Sequence, residues 1–154
     1  MRKKRHRWIL IAFLVIGILY AAYQAFVWTR YVHVIKLNWN IEFPIWGCKE
    51  IYNIDSGPSF HGDGTRYHIF QYSDREDIWG AVPWTEQAGQ NRHGESFRAV
   101  TEEWLDVLGV PTEYRPNYPV SDYYFYYDIQ SDNSEIVIYF DEEEIKLYII
   151  ESFL

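Results

Sequence analysis

Asp55, His61, Asp63 and His68 are the side chains whose types and spacing come nearest to chemistry. The first three lie in D-S-G-P-S-F-H-G-D-G, residues 55–64, where glycines let backbone approach closely, and His68 follows on the next element. A carboxylate–imidazole set can bind a divalent cation or supply an acid–base pair. The spacing matches neither an EF-hand, which needs alternating oxygens and a terminal Glu, nor a zinc motif with paired histidines. Asp55 and Asp63 are also residues that bond their own backbone in turns. A structural hairpin loop is therefore the first expectation, with binding or catalysis as the alternatives.

Tyrosines form the second candidate. In the C-terminal third, Tyr124, Tyr126, Val137, Tyr139, Tyr148 and Ile150 are expected on one side of a sheet. Exposed, such a surface suits a protein or glycan partner, because tyrosine offers apolar area with a polar tip. Covered by residues 30–50 or 73–93, it is a second core layer, which is the expectation for a sheet apolar on both sides. His93 reads as a loop residue and Asp141–Glu144 as a solvated acidic turn. No P-loop, G-x-S-x-G elbow, H-E-x-x-H or dinucleotide fingerprint occurs, and no cofactor is implied.

The 55–64 loop resembles the D-x-x-G-x-F-x-G-D-G signature of small uncharacterised bacterial membrane-anchored or secreted proteins. Asp55, Phe60, Gly62, Asp63 and Gly64 carry the resemblance. Ser56-Gly57-Pro58 stands where that pattern has His-Gly-Gly, so no role of that histidine carries over. The resemblance covers about ten residues plus the anchor layout and implies no activity.

These residues need elements to position them. Ile35, Leu37, Trp39 and Ile41 alternate with polar residues, which predicts a strand, and Lys49–Asp55 and Thr65–Tyr72 predict a hairpin. Residues 73–93 read as irregular, with Trp79 and Trp84 docked on the core. Phe97, Val100, Trp104, Leu105 and Leu108 share one face of a helix over 96–108, stopped by Gly109 and Pro111. Three antiparallel strands are expected over 121–129, 135–140 and 145–153. The helix is expected on the face formed by Phe125, Tyr127, Ile129, Ile136, Ile138, Phe140, Ile145, Leu147 and Ile149. The class is α+β: an N-terminal transmembrane helix, then a small domain with an antiparallel sheet and one amphipathic helix.

Trp8–Trp28 is a run of 21 residues without charge, preceded by Arg2, Lys3, Lys4, Arg5 and Arg7. As a helix it is about 32 Å long, the thickness of a bilayer core. Basic residues before the first apolar segment stay in the cytoplasm, which puts the C-terminus outside. The core exceeds that of a signal peptide, and Tyr20 and Tyr23 spoil the small-x-small sites ending at Ala22 and Ala25. The expected organisation is a basic cytoplasmic tail (1–7), a signal anchor (8–29) contacting the lipid bilayer through 8–28, and an extracytoplasmic domain (30–154). Cys48 is the single cysteine, which excludes an intrachain disulfide.

Charge divides along the same line. Residues 1–37 carry seven Lys/Arg and no acid, whereas residues 38–154 carry seven Lys/Arg and all 22 acids, 7 − 22 = −15. Such a domain repels phosphate backbones, so no nucleic-acid partner is expected. An envelope protein or polymer is the expected partner of a binding module. The alternatives are a metal-dependent hydrolase built on Asp55, His61 and Asp63, and a tethered immunity-type protein whose acidic surface masks a basic toxin.

Overall fold

The computed structural model describes residues 2–28, 30–57, 63–86, 96–117 and 123–154. The chain divides into two compact units, Met1–Ile45 and Trp46–Leu154. In the first, α1 (Arg2–Trp28) is followed by α2 (Tyr31–Trp39), and Ile11–Val27 meets Tyr31–Trp39 at a bend of 73°. Among the described residues no single helix is long and apolar enough to cross a membrane. That bent pair together meets the length and composition of a span.

The strand expected over residues 35–41 is not formed; most of that stretch is the last half of α2. Alternation suggested period two, but Val32, Ile35 and Trp39 are the buried residues, at helical spacings, and Leu37 is exposed. Asn40 ends the helix with a left-handed φ of 56°, its N–H bonding the Lys36 carbonyl at 3.0 Å. Asparagine tolerates that conformation better than other side chains with a Cβ.

The second unit is an α+β fold on a five-stranded antiparallel sheet in the order β1-β2-β5-β4-β3. Its strands are β1 (Cys48–Asp55), β2 (Gly64–Tyr72), β3 (Tyr123–Ile129), β4 (Glu135–Asp141) and β5 (Lys146–Phe153). Both hairpins expected from sequence, β1–β2 and β3–β4–β5, are present. Residues 73–86, expected to be irregular, contain a single-turn helix, α3 (Glu76–Trp79). The helix α4 (Phe97–Leu108) begins at Ser96, whose Oγ accepts from the Ala99 N–H at 3.2 Å. It stops at Gly109, which at φ 66° can supply the left-handed turn without a Cβ penalty.

One face of the sheet packs under α4. Phe97, Leu105 and Leu108 meet Tyr67, Ile69, Tyr123, Phe125, Val137, Tyr139, Tyr148 and Ile150 in one buried cluster. The expected face is thus half right. Phe125 and Tyr127 do point to the helix, but opposite them in register stand Tyr139 and Val137, not Ile138 and Phe140. Tyr139 in turn opposes Tyr148, and Ile138 opposes Ile149 on the other side. Direct cross-strand partners share a face, so the helix-side set of β4 and β5 is the complement of the expected one.

Tyr139 is fully buried at the centre of this cluster. Its hydroxyl donates to the Phe97 carbonyl at 3.0 Å and pairs with the Thr101 hydroxyl, itself fully buried. Tyr67 makes a similar tie, donating to the Tyr114 carbonyl at 2.5 Å, and burial holds its phenol well above the usual tyrosine range. Removing the Tyr139 hydroxyl takes a partner from both the buried Thr101 hydroxyl and the Phe97 carbonyl. Tyr139→Phe is expected to lower unfolding free energy by about 1–3 kcal/mol. Chemical denaturation of the full chain in micelles, followed by near-UV circular dichroism, measures this; a midpoint equal to wild type would show that the two hydrogen bonds contribute nothing.

Candidate functional site

The β1–β2 hairpin places two of the four residues singled out, Asp55 and Asp63, at its connecting end. Asp55 is exposed, and its Oδ1 accepts from the Gly57 N–H at 2.8 Å, a turn bond within the loop. Ser56 closes the mouth. Its N–H donates to the Thr65 carbonyl at 2.9 Å, and its Oγ accepts from the Thr65 N–H at 3.0 Å. Gly64, at φ 150°, leaves room for that hydroxyl; a Cβ there would lie 2.5 Å from Ser56 Oγ. Asp63 is exposed beside it. His61 lies outside the described residues. Among those residues no group of three or more His, Cys, Asp or Glu is placed to hold a metal ion.

His68 does not join the loop. It sits on β2, on the face away from α4, with its Nδ1 2.6 Å from Glu50 Oε1 on β1. A carboxylate can only accept, so Nδ1 carries the proton. The register brings Glu50 within reach because a bulge at Ile51 lets Glu50 oppose Phe70 while Tyr52 opposes Ile69. His68 also stacks on Phe70, with ring centroids 6.2 Å apart.

Burial lowers the His68 pKa below its usual value, and it outweighs the opposing pull of Glu50. A histidine with a depressed folded pKa binds its proton more readily unfolded. Its stabilising contribution is therefore complete above about pH 6.5 and declines as pH falls toward the folded value. Proton NMR titration of the full chain in maltoside micelles should place His68 below 6.5, and Glu50→Gln should depress it further. A His68 titrating above 6.5 would mean that the ion pair, not burial, governs the ring.

The tyrosines divide between the two faces. Tyr139 and Tyr148 belong to the core under α4. Tyr124 and Tyr126 lie on the opposite face, Tyr124 opposite Phe140 and Tyr126 opposite Ile138. The single tyrosine surface expected over Tyr124, Tyr126, Tyr139 and Tyr148 is thus two half-surfaces, one of them sealed. Tyr126 is partly buried, its hydroxyl donating to Asp128 Oδ2 at 3.3 Å.

Tyr124 instead borders a recess of about 320 Å³ lined by Trp79, Val82, Trp84, Glu86 and Tyr124. The Trp79 and Tyr124 rings meet edge to face, 4.5 Å apart at 82°. Both tryptophans also rest on Phe140, at 5.7 and 5.6 Å. Trp84 Nε1 donates to the Ile78 carbonyl at 3.4 Å, and the backbone of Thr85 pairs with that of Phe125 in both directions at 2.8 and 3.0 Å. Sequence reasoning foresaw the docking of Trp79 and Trp84 but not the recess between them. Its only signal is two tryptophans five residues apart, followed by an acid.

A second, wider recess of about 690 Å³ is lined by Glu102, Thr112, Glu113, Arg115, Pro116 and Asn117. Arg115 is already engaged there. It bonds Asp106 Oδ1 at 2.6 Å, Glu102 Oε2 at 3.2 Å and the Val110 carbonyl at 2.8 Å, and the bond to Asp106 raises its pKa. This guanidinium closes the C-terminal end of α4. Cys48, opposite Tyr72 at the start of β1, is partly buried. Comparison with known protein families, curated proteins and solved structures finds no match to this chain.

Proposed function

We propose that this chain is a single-pass membrane protein that displays an acidic binding domain on the outer side of a bacterial membrane, where it engages a basic envelope partner. The charge division carries this reading: seven cations and no acid before residue 38, formal charge −15 after it. Support for the anchor comes from α1. Ile11, Phe13, Leu14, Val15, Ile16, Ile18 and Leu19 are all exposed, and together they occupy every side of the helix. An all-round apolar helix is at home in lipid or in a protein core. Exposure of these chains to water costs roughly 25 cal/mol per Å² of apolar area. The basic flank 2–7 sets the orientation.

The acidic surface supports a cationic partner. Glu103, Asp106, Glu113, Glu143 and Glu144 are all exposed on the second unit. Fields of this kind accelerate and select association with the opposite charge rather than fixing the fold. The Asp55 carboxylate accepts from its own turn, which favours a structural role for that loop and leaves binding to the acidic surface.

Two measurements test the proposal. Glu143→Cys in a Cys48→Ala background should react with an impermeant maleimide on intact cells; labelling only after lysis would reverse the topology. Binding of the full chain in vesicles to a basic protein such as lysozyme should weaken at least tenfold between about 50 and 500 mM salt, as screening shortens from about 14 to 4 Å. Binding insensitive to salt, or no binding at low salt, would refute the cationic partner.

A further inference from the structure

The recess beside α3 combines features that bear on one ligand chemistry. Trp79 and Tyr124 stand at nearly a right angle, forming two aromatic walls of a corner, and Trp84 contributes a third ring. Val82, which is buried, and Glu86, which is exposed, complete the lining. The rings are held from behind. Trp79 and Trp84 rest on the fully buried Phe140, and the bridge between Thr85 and Phe125 ties the segment to β3.

Aromatic faces carry negative quadrupole density and attract cations, tryptophan most strongly. What kind of cation follows from the hydrogen-bonding capacity of the lining. Trp79, Trp84 and Val82 offer no side-chain acceptor, and the side-chain acceptors are those of Glu86 and Tyr124. A primary ammonium brings three N–H donors, which lose water on entry and need replacement partners. A quaternary ammonium brings none, loses little by desolvation and spreads its charge over methyl groups that pack on rings. A volume of about 320 Å³ lies at the small end of ligand sites, which suits a head group rather than a polymer segment.

We propose that this recess is a binding site for a small quaternary ammonium compound of the choline type, with the rings of Trp79, Trp84 and Tyr124 around the trimethylammonium group and the Glu86 carboxylate as its counter-ion. The site is independent of the anchor and of any basic protein partner. A ligand that carries its own carboxylate next to the cation, such as glycine betaine, meets repulsion from Glu86 and binds more weakly.

The test is a titration of the full chain in maltoside micelles, following tryptophan fluorescence with choline, glycine betaine and 3,3-dimethylbutan-1-ol, the uncharged carbon analogue of choline. Choline is expected to saturate, the neutral analogue to bind at least fivefold more weakly, and glycine betaine to fall between. Glu86→Gln, an exposed change that leaves the rings in place, should weaken choline about two- to fivefold and narrow its advantage over glycine betaine. Tyr124→Leu should weaken choline by a similar factor, while the near-UV spectrum reports whether the tryptophans remain packed. Failure of choline to saturate, or equal binding of choline and its neutral analogue, would overturn the proposal. Binding unaffected by both substitutions would place the ligand elsewhere and overturn it equally.

Discussion

Tyr139 is the residue on which the arrangement of the second unit turns. It lies in β4, the second strand from the edge, with Phe125 beside it on one neighbour and Tyr148 on the other. Its phenol reaches α4 and ends there on the Phe97 carbonyl and the Thr101 hydroxyl. A buried phenol needs partners, and Tyr139 finds them on α4, in the Phe97 carbonyl and the Thr101 hydroxyl. Because strand side chains alternate strictly, fixing Tyr139 toward α4 assigns every other residue of β4 to a face, and through the register those of β3 and β5. A slip by one residue would bury Tyr139 without its acceptors and strand the Thr101 hydroxyl.

The consequence reaches the candidate sites on the other face. With Tyr139 under the helix, Phe140 faces away from it, and Phe140 is the platform on which Trp79 and Trp84 rest. Tyr124, directly opposite Phe140, is thereby brought to the edge of the Trp79 ring. The aromatic recess is thus a by-product of the same register that builds the core. Further along this face, at β2, stands His68 with Glu50. That pair depends on the bulge in β1, which resets the parity of the strand and aligns a carboxylate with a buried imidazole.

How much of this is legible from sequence depends on whether a pattern has one reading. For α4 it does: apolar residues at spacings of three and four, a serine cap and a terminal glycine agree, and the helix is where they put it. The five strands are legible as strands for a similar reason. Their facing is not. Tyr123 to Tyr127 are aromatic at both parities, and β4 and β5 are apolar at both, so alternation carries no phase. The phase comes from hydrogen-bonding needs of particular phenols, which become visible only when α4 is in place. Residues 31–41 fail differently: Ile35, Leu37, Trp39 and Ile41 satisfy a strand template, yet Val32, Ile35 and Trp39 satisfy a helical one, and the structure follows the second. The chemistry expected at the 55–64 loop fades for a local reason, since Asp55 binds its own backbone and His68 turns to Glu50.

The surplus of carboxylates gives the surface a property that pairing cannot remove. Arg115 is held by Glu102 and Asp106, Arg75 by Glu142, and Lys146 by Glu144. Arg66 stands in register between Asp55 and Glu151 and lies over the Phe153 ring. Each of these local arrangements uses a cation the domain cannot spare, since seven cations face 22 acids in residues 38–154. Even complete pairing leaves a formal excess of fifteen negative charges in residues 38–154. At physiological ionic strength the resulting field decays over about 8 Å, so it acts on what is already near the surface rather than on distant molecules. A site that is to hold a cation in such a field gains selectivity from its shape more than from its charge, because carboxylates are in excess over the whole of residues 38–154. The recess lined by Trp79, Trp84 and Tyr124, with the exposed Glu86 beside them, offers such a shape.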